Sequence, residues 1–446
     1  MDAEDLGCNY ESRTTAPQNV LLTATTRWPV AARMAVKFSQ AGCNVSVVCP
    51  APGHPVLKTR AARRVFSYSG YRPLDSLADA IDAAKPNFIV PCDDPGVQHL
   101  HELHAQADGQ GPAGRQLASL IERSLGLPQS YRIVSARYDL LRVAQEEGIR
   151  VPPTKLINTL DDLRSWSQRQ AMPWVLKADG TSAGKGVRIA QTPMEAEEKF
   201  LELTHPPGVV EIMKQLILHR DWAWVLAHTN RLKPTISVQS FIQGRPANCA
   251  AVCWEGRVLA GFAVEVVSST GMTDPAIAVR VVDNPAMMLA TQRLASRLGL
   301  SGFFGLDFMI EDGSGEAFLV EMNPRCTPLC HLQLGSGRDL VEALRAQLSD
   351  QPCRATPPVT QSDVIAYFPY ARISTSGLSP SWFEDIPQNE PDLVEAILHP
   401  WSQRSVVGRL VDYTRQVMHR QRRSAGLCLR NSRGGTRFSR EVLKGI

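Results

Sequence analysis

The sequence predicts an α/β protein in which a doubly wound parallel-sheet domain precedes a larger α+β region of two lobes. Three observations carry that prediction. Apolar strand-like runs alternate with segments of helical spacing near the start, hairpin-like pairs dominate from about residue 130 to 350, and no internal repeat divides the chain. At 446 residues, 43% of them hydrophobic and 21% charged, the chain has room for roughly two to four domains of about 100–200 residues each.

Residues 1–17 are polar and aperiodic, a disordered lead-in. Asn19–Ala24 then reads as a buried strand, Pro29–Ala41 as a helix, Asn44–Cys49 as a second strand, Leu77–Ala84 as a helix and Asn87–Cys92 as a third strand. The first strand-to-helix turn, Ala24–Pro29, contains no glycine. It therefore lacks the tight turn and close backbone approach of a dinucleotide fingerprint, which disfavours a nicotinamide enzyme. Residues 105–117 read as a Gly/Gln/Ala loop. Beyond Gln351 the pattern weakens: Asp363–Tyr370 is one more strand, Ser379–Asn389 a Pro-rich loop and Val406–His419 a helix.

Lys plus Arg is 48 and Asp plus Glu 44, a net of +4, and the excess is local. Thr414–Ile446 holds eight Arg and one Lys against one Glu, so the rest of the chain is near −4. A nucleic-acid-binding body is not indicated. The basic tail reads as solvated disorder, as a binder of a phosphate-rich partner, or as an extension without function. No apolar run reaches the roughly 18 residues of a membrane span, and the acidic start Met1–Asp5 has no signal-peptide core. The ten cysteines show no C-x-x-C pair, so reduced, buried thiols and a cytoplasmic location are expected.

The strongest chemical signal is Ser301–Arg325, SGFFGLDFMIEDGSGEAFLVEMNPR, a β-hairpin turning at Glu311–Gly315. A turn centred near Gly313–Ser314 places Asp307 across from Glu321, with Asn323 on the same face. Paired carboxylates with a neutral amide oxygen suit Mg²⁺ or Mn²⁺ rather than zinc. The other reading is a solvent-facing acidic strand pair. In Trp174–Ala190, WVLKADGTSAGKGVRIA, a strand ending at Lys177 enters the loop Gly180–Gly186. Its spacing is not that of a Walker A loop, and it reads as a mobile phosphate cover or as a flexible hairpin tip. Ile236–Gly244 is an apolar strand running into a loop.

Together these segments, in this order, resemble the ATP-grasp superfamily of ATP-dependent carboxylate–amine or carboxylate–thiol ligases, over residues 18–350. The resemblance implies a pre-ATP-grasp α/β domain at 18–128 and a two-lobed ATP-grasp domain at 129–350, its lid lobe at about 150–240. A C-terminal extension (351–413) would pack on that domain, followed by a flexible basic tail (414–446). Lys177 would contact the α/β-phosphates, and Gly180, Thr181, Ser182, Gly184, Lys185 and Gly186 would close over the β/γ-phosphates, with Lys185 at the reacting end. Gln239, Phe241 and Ile242 would line the adenine pocket. Asp307, Glu321 and Asn323 would hold Mg²⁺ or Mn²⁺, and Arg325, with Arg280 one strand away, would steady the transferred phosphoryl group or the substrate carboxylate.

The sequence departs from the family twice. Where members carry Asp-Lys this chain has Ala136-Arg137, which keeps the charge on phosphate but changes its geometry. Where many members have a ribose-binding Glu it has Pro246. The expected activity is carbon–nitrogen bond formation through an acyl phosphate, on a small-molecule carboxylate and an amine or thiol. The alternatives are an ATP-grasp phosphotransferase and a non-catalytic nucleotide-binding module. A homodimer is the default assembly. The histidines His99, His101 and His104 lack metal-site spacing and read as surface or interdomain residues, whereas His331 reads as substrate-facing or as a packing residue.

Overall fold

The computed structural model describes residues 16–399 except 52, 108, 110, 181–185, 205–233, 270, 272–275 and 374–378. The tail helix expected at Val406–His419 lies outside the described residues, as do the tail itself and most of the lead-in.

Three sheets organise the described residues. The first is parallel, in the order β3-β2-β1-β4, from β1 (Asn19–Thr23), β2 (Asn44–Cys49), β3 (Ala62–Ser67) and β4 (Phe88–Pro91). Strand β3 carries Arg63 and Arg64 exposed at the sheet's edge, so it shows no apolar run in the sequence. Helix α1 (Val30–Gln40) covers one face, and α2 (Pro73–Ala84), α3 (Asp94–Ala107) and α4 (Gly111–Leu125) cover the other. The loop expected at 105–117 is mostly helix: the apolar positions Ala107 and Ile121 are buried, and α3 and α4 nearly meet. Strand order reverses beside β1, and the turns after β1 and β4 open at that switch point, where crevices form in such sheets.

Helices α5 (Tyr131–Ser135) and α6 (Arg137–Glu146) lead to an antiparallel sheet in the order β5-β8-β6-β7. Its strands are β5 (Thr154–Ile157), β6 (Trp174–Ala178), β7 (Val187–Ala190) and β8 (Ile236–Ser240). One face buries Trp174, Leu176 and Val238 under α7 (Leu160–Ser167) and α8 (Pro193–Thr204). Since strand residues alternate, Lys177, Ser237 and Gln239 point the other way.

The third sheet runs β13-β12-β9-β10-β11-β14-β15. It consists of β9 (Gly244–Trp254), β10 (Arg257–Ser269), β11 (Ala276–Val282), β12 (Gly302–Glu311), β13 (Ala317–Asn323), β14 (Val364–Ala366) and β15 (Phe383–Glu384). Its Phe304, Leu306, Phe308 and Ile310 face a core with α6 and α9 (Pro285–Leu298). Phe303, Ala250, Val264 and Val279 face the opposite way, into a core shared with β1, β2, α1 and α10 (Leu340–Ser349). Beyond β14 lie α11 (Tyr370–Ile373) and α12 (Pro391–Leu398), whose Leu393 and Ile397 join that shared core. Among the described residues no helix is long and apolar enough to cross a membrane.

Candidate active site

The antiparallel pairing of β12 with β13 sets Asp307 directly opposite Glu321 and Gly305 opposite Asn323. A register shift follows immediately on the turn side of Asp307, so the site end of the hairpin twists away from its tip. Asp307 also faces Asn248 on β9. Both of its oxygens are engaged: Asn248 Nδ2 donates to Oδ1 at 2.6 Å and Asn323 Nδ2 to Oδ2 at 3.0 Å. Burial, and then the charge of Glu321, push the Asp307 carboxyl up to about 6, against the two amide donors. A buried carboxylate beside a second one calls for nearby positive charge.

Two cations supply it, one from α6 and one from the second sheet. Arg137, the first residue of α6, donates from Nη2 to Glu321 Oε1 at 2.6 Å and from Nη1 to the Ala178 carbonyl at 3.1 Å, with Asp179 Oδ1 at 3.4 Å. Lys177, at the end of β6, is 6% exposed and donates to the Val320 carbonyl at 3.2 Å. Burial lowers the Lys177 ammonium to about 8; Glu321 opposes the shift and Arg137 adds to it.

Arg325 closes the other side. Its Nε donates to Asp94 Oδ1 at 2.8 Å, Nη2 to Asn323 Oδ1 at 2.9 Å and Nη1 to the Cys326 carbonyl at 3.2 Å, while the guanidinium lies 5.2 Å from the Trp28 ring centre. Trp28 lies in the turn after β1 and Asp94 opens α3 just after β4, so the hairpin's end meets the switch point of the first sheet. Asp93 shapes that crevice by accepting from the backbone N–H groups of Thr25, Thr26 and Gly96.

Gln239 is buried on the face of the second sheet that carries Lys177, its amide donating to Thr154 Oγ1 at 3.1 Å, and the N–H of Phe241 is given to the Pro173 carbonyl at 3.1 Å. Ile242 follows, half-buried, before β9 begins. Gly180 and Gly186 flank the glycine loop, Gly186 accepting from the Ala178 N–H at 2.9 Å. Thr181, Ser182, Gly184 and Lys185 lie outside the described residues.

Arg280 is not brought to this site. It was expected one strand from the hairpin, but β11 is separated from β12 by β9 and β10. It pairs with Glu265, and alternation puts both on the face opposite Asp307 and Asn248. Its guanidinium reaches Asp363 at 3.3 Å and is half exposed. The histidines of α3 are packing residues: His101 stacks on Tyr131, His104 bonds Glu122 and His99 bonds the Tyr68 hydroxyl. Among the described residues no group of three or more His, Cys, Asp or Glu could hold a metal, so the hairpin's donor set is two carboxylates and an amide. His331 Nε2 lies 2.7 Å from Asp385 Oδ2 and 3.0 Å from Arg33 Nη2, with Nδ1 buried and unpartnered among the described residues.

Asn248, Asp179, Asp94 and Trp28 escaped the reading of the sequence. Asn248 had a signal, an amide inside the apolar run of β9. Asp94 and Trp28 follow strand ends at the switch point, where the strand-end rule points.

The family model described as the ATP-grasp domain matches residues 134–328. No curated protein matches the chain. Among solved structures, the fold is similar to N5-carboxyaminoimidazole synthase from Aspergillus clavatus, solved with ADP and 5-aminoimidazole ribonucleotide. The TM-score is 0.55 at 14% identity, covering 76% of this chain and 78% of that one. It is similar to a biotin carboxylase from Campylobacter jejuni, with a TM-score of 0.54, 15% identity and coverage of 78% and 73%. An L-amino acid ligase from Bacillus licheniformis gives a TM-score of 0.51, 13% identity and coverage of 76% and 78%. At these identities the likeness is one of fold. Residues 134–328, which take in α6, the second sheet and the hairpin, thus match an ATP-grasp domain.

Proposed function

We propose that the chain is an ATP-dependent ligase that joins a carboxylate to an amine or a thiol through an acyl phosphate. The observation that supports this best is the direct pairing of Asp307 with Glu321 in a cleft that also holds Lys177 and Arg137. Two carboxylates and the Asn323 amide fit a hard divalent cation, Mg²⁺ or Mn²⁺. That ion, when bound by Asp307, Glu321 and Asn323, neutralises phosphate oxygens.

The protein's own part is positioning and charge. Lys177 and Arg137 offer cations to the phosphate chain, Gln239, Phe241 and Ile242 border the base, and Arg325 presents a guanidinium on the acceptor side. A substrate carboxylate oxygen attacks the terminal phosphorus and ADP leaves. The amine nitrogen or thiol sulfur then attacks the acyl carbon, phosphate leaves, and one proton is lost.

The test is ADP release with Mg²⁺ and ATP against a mixed panel of carboxylates and amines or thiols, with mass spectrometry of the products. A product lighter by one water than its two parents is expected, and Glu321→Ala should abolish turnover with the fold retained. ADP without an adduct would replace ligation by phosphoryl transfer alone. Nucleotide binding without ADP would leave a silent binding module, and unchanged turnover in Glu321→Ala would overturn the metal assignment.

A further inference from the structure

Arg137 is the feature that the family pattern least explains. Its guanidinium is 9% exposed and spans two sheets, with Nη1 on the lid strand's Ala178 carbonyl and Asp179, and Nη2 on Glu321 of the hairpin. A lysine is a point charge and would satisfy one of these groups; the planar fork of arginine reaches both. Lys177, the second cation, donates to a carbonyl and, among the described residues, makes no hydrogen bond to a carboxylate. The carboxylate that faces Asp307 is therefore neutralised by the chain's own Arg137. A divalent ion arriving alone would have to displace that guanidinium and then sit against two positive side chains. An ion arriving with a polyphosphate brings the negative charge to which Arg137 can transfer.

We propose that Arg137 is an exchangeable counter-ion: it leaves Glu321 for the nucleotide's phosphates, and thereby makes metal binding conditional on nucleotide. The inference rests on reading this cleft as the metal–nucleotide site. Leaving Glu321 would also remove one of two ties, among the described residues, between β6 and the hairpin, the other being Lys177 on the Val320 carbonyl.

Mn²⁺ titrated into the full chain and followed by electron paramagnetic resonance, with and without ADP, tests this without any substrate. The wild type should bind Mn²⁺ at least about tenfold more tightly with ADP than without. Arg137→Ala should bind Mn²⁺ alone about tenfold more tightly than the wild type and ADP more weakly. Arg137→Lys, which keeps the charge, should bind Mn²⁺ alone as the wild type does. Equal Mn²⁺ affinity in the wild type with and without ADP would overturn the proposal even if Arg137→Ala failed to fold. So would an Arg137→Ala protein with native circular dichroism and unchanged affinity for Mn²⁺ alone. Glu321→Gln separates the two levels. If it abolishes Mn²⁺·ADP binding while Arg137→Ala changes nothing, the cleft assignment stands and the counter-ion fails. If it leaves Mn²⁺·ADP binding intact, the cleft assignment falls, and the inference with it.

Discussion

Raising the pH should weaken nucleotide binding through Lys177. The ammonium is buried and its pKa is drawn down to about 8, chiefly by desolvation. A phosphate chain beside it stabilises the charged form, so binding requires the proton. Affinity for Mg²⁺·ADP should then fall by a factor that grows with deprotonation of the free protein: little at about pH 7, twofold at about pH 8 and about tenfold at about pH 9, or about 1.4 kcal/mol. Stability of the nucleotide-free protein should move the other way. An unfolded lysine titrates near 10.4, so between about pH 8 and that value the unfolded chain holds more protons and stability rises with pH. The burial penalty relieved across that window is about 3 kcal/mol on the same scale. Calorimetric titration with Mg²⁺·ADP, in buffers of differing ionisation enthalpy, reads both the affinity and the proton uptake. Lys177→Arg, charged throughout, should give a flat profile. Wild-type affinity that changes less than about twofold across this range, or no proton uptake at the upper end, would refute the reasoning.

Other consequences can be checked by single substitutions. Asn248→Ala removes a donor from Asp307 Oδ1 and should weaken Mn²⁺·ADP binding about 10–100-fold, read by paramagnetic resonance. Trp174→Ala empties the core of the second sheet, where the ring is 1% exposed and its Nε1 is bonded to the Ala171 carbonyl. It should cost about 3–5 kcal/mol, visible as faster hydrogen exchange in β6 and β8. Gly244→Ala would place a Cβ 2.0 Å from the Ile310 carbonyl oxygen. With backbone as the obstacle, a loss near the top of the overpacking range of about 1–3 kcal/mol should appear in the urea midpoint. Asp385→Asn leaves Arg33 short of its buried partner. It should lower stability by about 3–5 kcal/mol, and a melting temperature within error of the wild type would remove the pair from the stabilising set.

The hairpin was the most legible part of the chain, because turn residues at Glu311–Gly315 and a period of two together fix a register. Asp307 pairs with Glu321 as that register requires. The first sheet was readable where strands are buried on both faces, as at Val20–Leu22 and Val45–Cys49, and unreadable at β3, an edge strand exposed along much of its length. Arg280 illustrates a different limit. Local pattern says which residues share a strand face, but the order β12-β9-β10-β11 follows from pairings across some 60 residues. The partners Asp94 and Trp28 were hidden for the same reason, since the switch point meets Arg325 only after both sheets have docked through a shared core. The departure at Ala136-Arg137, by contrast, was visible in the sequence, and the two-sided grip of its guanidinium was not.

The clamp between Arg33 and Asp385 has a bearing on how the chain is made. The two residues are separated by 352 positions, and Lys37 on the same helix awaits Asp339. During synthesis at about 5–20 residues per second, the first sheet would emerge with the partners of both cations still unmade for tens of seconds. The apolar face of β1, β2 and α1 lacks its counterpart for much of that interval, because Phe303, Leu340 and Leu393 come later. The nascent amino-terminal region is therefore a natural client for holding factors at the ribosome exit. A piece cut to residues 134–328 would expose the complementary face and should be made with its flanks.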